Sequence, residues 1–191
     1  MSGRQRRGDV LDETGSASPR RFSGPTAGGE RAMLAGFLAD QRATLVLKCA
    51  GLDEVEGGAA IARRAVEPST LSLLGLVRHL TDVERRWFQA VLAGQDDAGP
   101  LWSSAEDPDG DFDGASADPA SVDLAWKAWR EAVDFAERFA ADAPDLDVSG
   151  HDGWRGTVSL RWVLVHMIEE YARHNGHADL LRERIDGARG V

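Results

Sequence analysis

Four stretches of this chain repeat apolar residues at intervals of three and four, and no stretch alternates apolar with polar residues as a half-buried strand would. That periodicity confines the chain to helices packed on helices. Between Glu30 and Cys49, the positions Met33, Leu34, Phe37, Leu38, Leu45 and Val46 recur at three and four, as in an amphipathic helix. A Gly-containing stretch (Gly51 to Gly58) and Pro68 interrupt the pattern. Ser69 or Thr70 then offers an N-cap for a second helix that reaches about Gly94 and contains His79. Gly, Asp and Pro dominate from Gly94 to Pro119, so a long loop is expected between helices two and three. Leu124, Trp126, Trp129, Val133, Phe135, Ala136 and Phe139 predict the third helix, ending before Pro144. Thr157 or Ser159 can cap a last helix running to about Arg184, with Gly187 just beyond its end. The expected fold is all-α, a four-helix bundle over residues 30–187 with a long loop between helices two and three. Connectivity and handedness do not follow from periodicity.

Residues 1–29 are rich in Gly, Ser, Arg and Pro and lack apolar periodicity, so they are expected to form a disordered arm. That arm holds five Arg against three acids. Of the net charge of −10, it therefore leaves −12 on residues 30–191. A surface so acidic repels a phosphate backbone, and no basic helix compensates, which argues against nucleic-acid binding. No stretch approaches the roughly 18 to 20 uninterrupted apolar residues of a membrane span, and no apolar segment follows the N-terminal arginines as a secretory signal requires. The expectation is a soluble cytoplasmic protein without a membrane partner. The single cysteine, Cys49, lies beside Leu45, Val46 and Leu47 and reads as a buried structural residue.

The chemistry-bearing segment runs from His166 through Glu170 and His174 to His177. At about 100° per residue these four side chains fall within roughly 80° of arc on one helix face. Glu170 and His174 lie about 6 Å apart along the axis and can grip one ion, whereas His166 and His174, about 12 Å apart, cannot both do so. His166 with Glu170, or His174 with His177, are alternative pairs. A third ligand must come from elsewhere, and His79 is the sole histidine on another predicted helix, His151 being assigned to a loop. Three protein ligands would leave an open position, as a catalytic site requires. The bland reading of an i, i+4 Glu/His pair is a weak contact on a solvated face. Val163, Met167 and Leu181 flank the stripe, however, and predict that it faces inward, where an unpaired carboxylate is costly.

The residues Pro68-Ser-Thr-Leu-Ser-Leu-Leu-Gly-Leu-Val-Arg-His79-Leu form one distinctive stretch. The loop Glu106-Asp-Pro-Asp-Gly-Asp-Phe-Asp-Gly114 is a second, and Val158-Ser-Leu-Arg-Trp-Val-Leu-Val-His166 running on to Arg182-Glu-Arg-Ile-Asp-Gly187 is a third. Across roughly residues 30–187 the chain resembles the DinB/YfiT-like metal-binding bundles, in particular the branch of small actinobacterial proteins and mycothiol-dependent maleylpyruvate isomerase. Many DinB proteins place a His-x-x-x-His pair on the last helix. Here Glu170 stands where the first His would be, as in the isomerase branch. The resemblance implies a DinB-type bundle in which His79, Glu170 and His174 bind a divalent metal, zinc foremost, with nickel or a similar ion as alternatives. His166 and His177 then become neighbours of the site, supporting its ligands or packing. It also implies a low-molecular-weight thiol such as mycothiol as co-substrate, becoming a thiolate at the open metal position and acting on a small-molecule substrate in a transferase or isomerase reaction. A homodimer is one option for assembly.

Other readings are weaker. Arg78, Arg85, Arg86 and Arg173 could hold a carboxylate substrate, but arginines on helices are mostly solvated. Asp109, Asp111, Asp113 and Gly114 match the start of an EF-hand calcium loop, yet position twelve is Ala120 and no helix precedes the loop. Trp126 and Trp129, at helical spacing, read as core rather than pocket. Two further functions use the same residues: a metal-dependent hydrolase with Glu169 or His166 carrying protons, and a non-catalytic stress or partner-binding module with a structural metal.

Overall fold

The structure, a computed structural model, describes residues 24–49, 63–67 and 69–187. The expectations for residues 1–23, for the Gly51 to Gly58 interruption and for Pro68 lie outside these. The described residues are mainly α-helical, with a small two-stranded sheet. Among them no helix is long and apolar enough to cross a membrane.

Helix α1 spans Glu30–Cys49 and buries Leu38, Leu45 and Cys49, while Phe37 and Val46, also part of the apolar recurrence, remain 49% and 37% exposed. Helix α2 spans Leu73–Glu84. Its N-cap is Ser72, not Ser69 or Thr70: the Ser72 backbone is extended and its Oγ accepts from the Gly75 amide at 3.1 Å. Ser69 Oγ accepts instead from the Leu71 amide, shaping the turn that precedes the helix. The same helical rod continues as a π-helical segment, Arg85–Leu92, closed by the Ala93 amide on the Phe88 carbonyl at 3.0 Å. Wider turns of this kind re-aim side chains and are frequent beside functional sites. Here Trp87 and Phe88 are buried while Arg86 reaches across to Asp152.

The long connection after Gly94 is held by one buried carboxylate. Asp82 accepts from the amides of Leu101, Trp102 and Ser103 and from the Ser103 hydroxyl, at 2.7 to 3.3 Å. The connection contains a short helix, α3 (Gly110–Asp113), packed on α2. Gly110 sits so close beneath Trp102 that an added Cβ would lie 2.5 Å from its carbonyl oxygen. Helix α4 spans Pro119–Asp142, with Asp118 as N-cap and Pro119 at the first helical position, where a missing amide costs nothing.

A hairpin not foreseen from periodicity follows: β1 (Ser149–Asp152) pairs antiparallel with β2 (Gly156–Ser159). His151, assigned to a loop, stands on β1 opposite Thr157. The strands are four residues each and bury only Val158 among their apolar side chains, so no alternation exists to be read. Local polar chemistry builds the hairpin instead. Asp152 Oδ1 accepts from the Trp154 and Arg155 amides, and Gly156 takes a positive φ of 76°. A Cβ at Gly150 would stand 1.8 Å from the Val91 carbonyl oxygen, so glycine permits the strand to lie directly on the π-helical segment. Ser159, rather than Thr157, then caps helix α5 (Leu160–Ile185), accepting from the Trp162 amide. Gly187, at φ 78°, closes its far end by donating to the Arg182 carbonyl.

Helix α5 lies along α1 and touches α2, which also packs on α4. Leu73, Leu76, Leu80, Phe88, Leu164 and Met167 fill the space between them. Within this apolar core lies a polar network. Trp129 Nε1 donates to the Tyr171 hydroxyl, which donates to Glu84, and the Arg42 guanidinium clasps both Glu84 oxygens at 2.8 Å. Burial pushes the Glu84 carboxyl and the Tyr171 phenol up from their ordinary pKa values, Arg42 opposing the shift. Trp129 is thus core as expected, with a polar contact that spacing could not foretell.

Candidate metal centre

The inward face expected for the last helix is present: Val163, Met167 and Leu181 are at most 5% exposed. It turns His174 and Glu170 toward α2, one face of which carries His79. One ligand atom from each of His79, Glu170 and His174 lies within 4.8 Å of the other two. The His79 and His174 rings meet edge to face at 4.6 Å, and His174 Nε2 stands 3.4 Å from Glu170 Oε2.

Each imidazole is oriented from behind. His79 Nδ1 faces Asp111 Oδ2 at 2.8 Å, and the Phe112 ring stacks on it at 4.9 Å. A proton on Nδ1 shared with that carboxylate leaves the Nε2 lone pair free. Asp111 is held in turn by the chain around it: its Oδ1 accepts from the Phe112 amide, and Arg78 Nη2 donates to the neighbouring Gly110 carbonyl at 2.9 Å. On the other side, His174 Nδ1 meets His177 Nδ1 at 3.4 Å, so Nε2 is again the nitrogen turned to Glu170. Burial, together with the nearby His79 and His177, lowers the His174 pKa to about 3, which keeps that ring neutral at ordinary pH. Glu170, a quarter exposed, has as its close polar partners among the described residues His174 Nε2 and, at 3.7 Å, His166 Nε2. A carboxylate beside imidazole nitrogens is a donor set that suits a divalent cation of borderline softness.

The remaining histidines of the stripe flank this trio. His177 contacts His174 from behind, as described. His166 is packed between indoles, parallel to Trp162 at 4.8 Å and edge-on to Trp87 at 5.0 Å, and burial lowers its pKa from the ordinary value. Three of the arginines near the ligands in sequence are engaged at or near the surface. Arg85 donates to the Gly99 carbonyl, Arg86 to Asp152 at 2.7 Å, and Arg173 stands 4.0 Å from Glu169. Arg78 departs from the expected solvated state. It is 7% exposed and lies against Trp102, and its guanidinium fastens α3 to α2. In the acidic loop, Asp111 turns inward to His79 as part of a helix, and the calcium-loop reading finds no support there.

Asp111 is the neighbour of the candidate site that sequence reasoning missed. Its one legible signal was an acidic Gly-Asp-Phe-Asp-Gly loop, and nothing in its spacing ties position 111 to position 79.

The family model described as mycothiol-S-transferase matches residues 33–187 of this chain. No curated protein and no solved structure matches it.

Proposed function

This chain belongs to the mycothiol-S-transferase family, and from that premise we propose that it is a divalent-metal-dependent transferase that uses mycothiol or a related small thiol. The described helices are read as a bundle of the DinB type, with α2 and α5 presenting the ligands. The observation supporting this is the convergence of His79, Glu170 and His174 within 4.8 Å, with His79 Nδ1 engaged by Asp111 and His174 Nε2 3.4 Å from Glu170. His79, Glu170 and His174 would hold the ion. When bound, a divalent ion, zinc foremost, would supply the positive charge that favours a thiolate over a thiol at neutral pH.

The chain's own residues do the rest. Asp111 fixes the His79 tautomer, His177 backs His174, and the π-helical segment brings Trp87 over His166. His166 Nε2 lies 3.7 Å from Glu170, on the indole side of the trio. Held neutral by burial, it is assigned the proton that leaves the thiol. The indoles around it shed water from that side of the site.

The test is metal analysis of the untagged full chain by mass spectrometry, beside His79→Ala and His174→Ala, followed by calorimetry with mycothiol. Near-stoichiometric zinc or a similar ion, lost in both variants, and thiol binding only by the loaded protein are the expected results. A wild type that takes up no divalent ion overturns the metal reading. Turnover of ester or amide probes without thiol would replace transfer by hydrolysis.

A further inference from the structure

The hairpin turn places Arg155 over three indole rings, 4.3 Å from the Trp154 centroid, 5.3 Å from Trp162 and 5.4 Å from Trp87. Stacking engages the face of a guanidinium and leaves the N–H groups around its edge unspent. Among the described residues no carboxylate or carbonyl accepts from that edge. Asp152, the acid nearest in sequence, is already satisfied by Arg86 at 2.7 Å and by the amides of Trp154 and Arg155. Arg155 is exposed and has no ion pair among the described residues, in a chain whose residues 30–191 carry a net charge of −12. Its backbone is held in the turn, where its own amide donates to Asp152 Oδ1 at 2.8 Å.

The surface around it is continuous with the metal centre. Trp162 lies flat on His166 at 4.8 Å, and His166 Nε2 is 3.7 Å from Glu170. Trp162 is 37% exposed and Trp154 80%, so flat apolar area is open to a ligand beside the guanidinium. Of the other charged groups near it, Arg86 lies over Trp87 at 5.2 Å and is bonded to Asp152, while Glu169 and Glu170, which act on His166, stand on helix α5. An anionic ligand is therefore drawn to the Arg155 end and repelled at the Glu170 end.

We propose that Arg155, with Trp154, Trp162 and Trp87, forms an anion subsite at the mouth of the metal centre. It takes an organic carboxylate with a flat apolar body: the carboxylate sits on the guanidinium edge and the body lies along the indoles toward Glu170. As a description of the co-substrate of a transferase, this rests on the reading given above; as an anion site, it is measured without metal or thiol. Calorimetry on the chelator-stripped full chain compares 2-naphthoate with the uncharged 2-naphthamide. The wild type is expected to bind the acid about tenfold more tightly than the amide, the range of one charge-assisted hydrogen-bonded contact. Arg155→Met, which keeps length and apolar contact, is expected to erase that preference. Arg155→Lys keeps part of it, and Trp154→Ala weakens both probes. Arg155 is exposed in a turn, and an unchanged circular dichroism spectrum identifies each variant as folded. Equal binding of acid and amide, a preference that survives Arg155→Met, or no binding of either at millimolar concentration overturns the subsite. None of these results touches the metal reading, whose failure is seen in metal content alone.

Discussion

Replacing Asp111 by alanine removes the carboxylate that orients His79, and the structure gives the cost. The His79 Nδ1–Asp111 Oδ2 contact is 2.8 Å long, and the Asp111 side chain is 6% exposed, so water cannot take over the contact. A hydrogen bond to a charged group is worth about 1.5 to 3 kcal/mol. At 1.4 kcal/mol per tenfold this corresponds to an ion held about 10- to 100-fold less tightly, the range expected when a carboxylate behind a ligating histidine is lost. The loss should stay below that of His79→Ala, because the Phe112 ring still stacks on the imidazole at 4.9 Å. Asp111→Asn keeps the shape and an acceptor oxygen but no charge, and is expected to fall between wild type and alanine. Zinc affinity measured by chelator competition at fixed pH and ionic strength gives the order directly, with circular dichroism as the control for folding. A folded Asp111→Ala protein whose zinc affinity lies within threefold of wild type would refute the assignment of Asp111 to the centre.

Two further outcomes concern the scaffold. Tyr171→Phe leaves Trp129 Nε1 without its acceptor and deprives Glu84 of a donor in a fully buried position. The expected cost is about 1 to 3 kcal/mol, and a urea midpoint equal to wild type would contradict it. Acid should loosen the hairpin: the hydrogen bond from Arg86 holds the Asp152 carboxyl below its ordinary value near 3.8. The folded state thus favours the ionised form, so this contribution is complete above that pH and is lost as pH falls through the lower folded value. Thermal midpoints followed from pH 5 to pH 3 should drop more steeply for wild type than for Arg86→Met, and parallel curves would remove the linkage.

The repeat of apolar residues determined the helices because burial of a helix face leaves a period of three to four in any sequence, and α1, α4 and α5 lie where that period places them. The same logic applied to His166, Glu170, His174 and His177 identified the stripe, since four positions on one helix share a face whatever surrounds it. The stripe left open which pair would converge with the third residue. Choosing Glu170 and His174 over the neighbouring pairs, and tying them to His79 some ninety residues away, requires the relative depth and rotation of α2 and α5, which no local pattern encodes. The family resemblance pointed to the same trio, and the packing supplied its distances. Asp111, Arg78 and Arg155 were beyond the sequence for a related reason. Their roles depend on loops and turns each gathered by one carboxylate, Asp82 on the Leu101–Ser103 amides and Asp152 on the Trp154 and Arg155 amides, and such contacts leave no periodicity. The helices were legible because many weak apolar contacts repeat along them. The groups that tune the site were decided by tertiary structure, because each depends on one specific contact between residues distant in the chain or brought together by a turn.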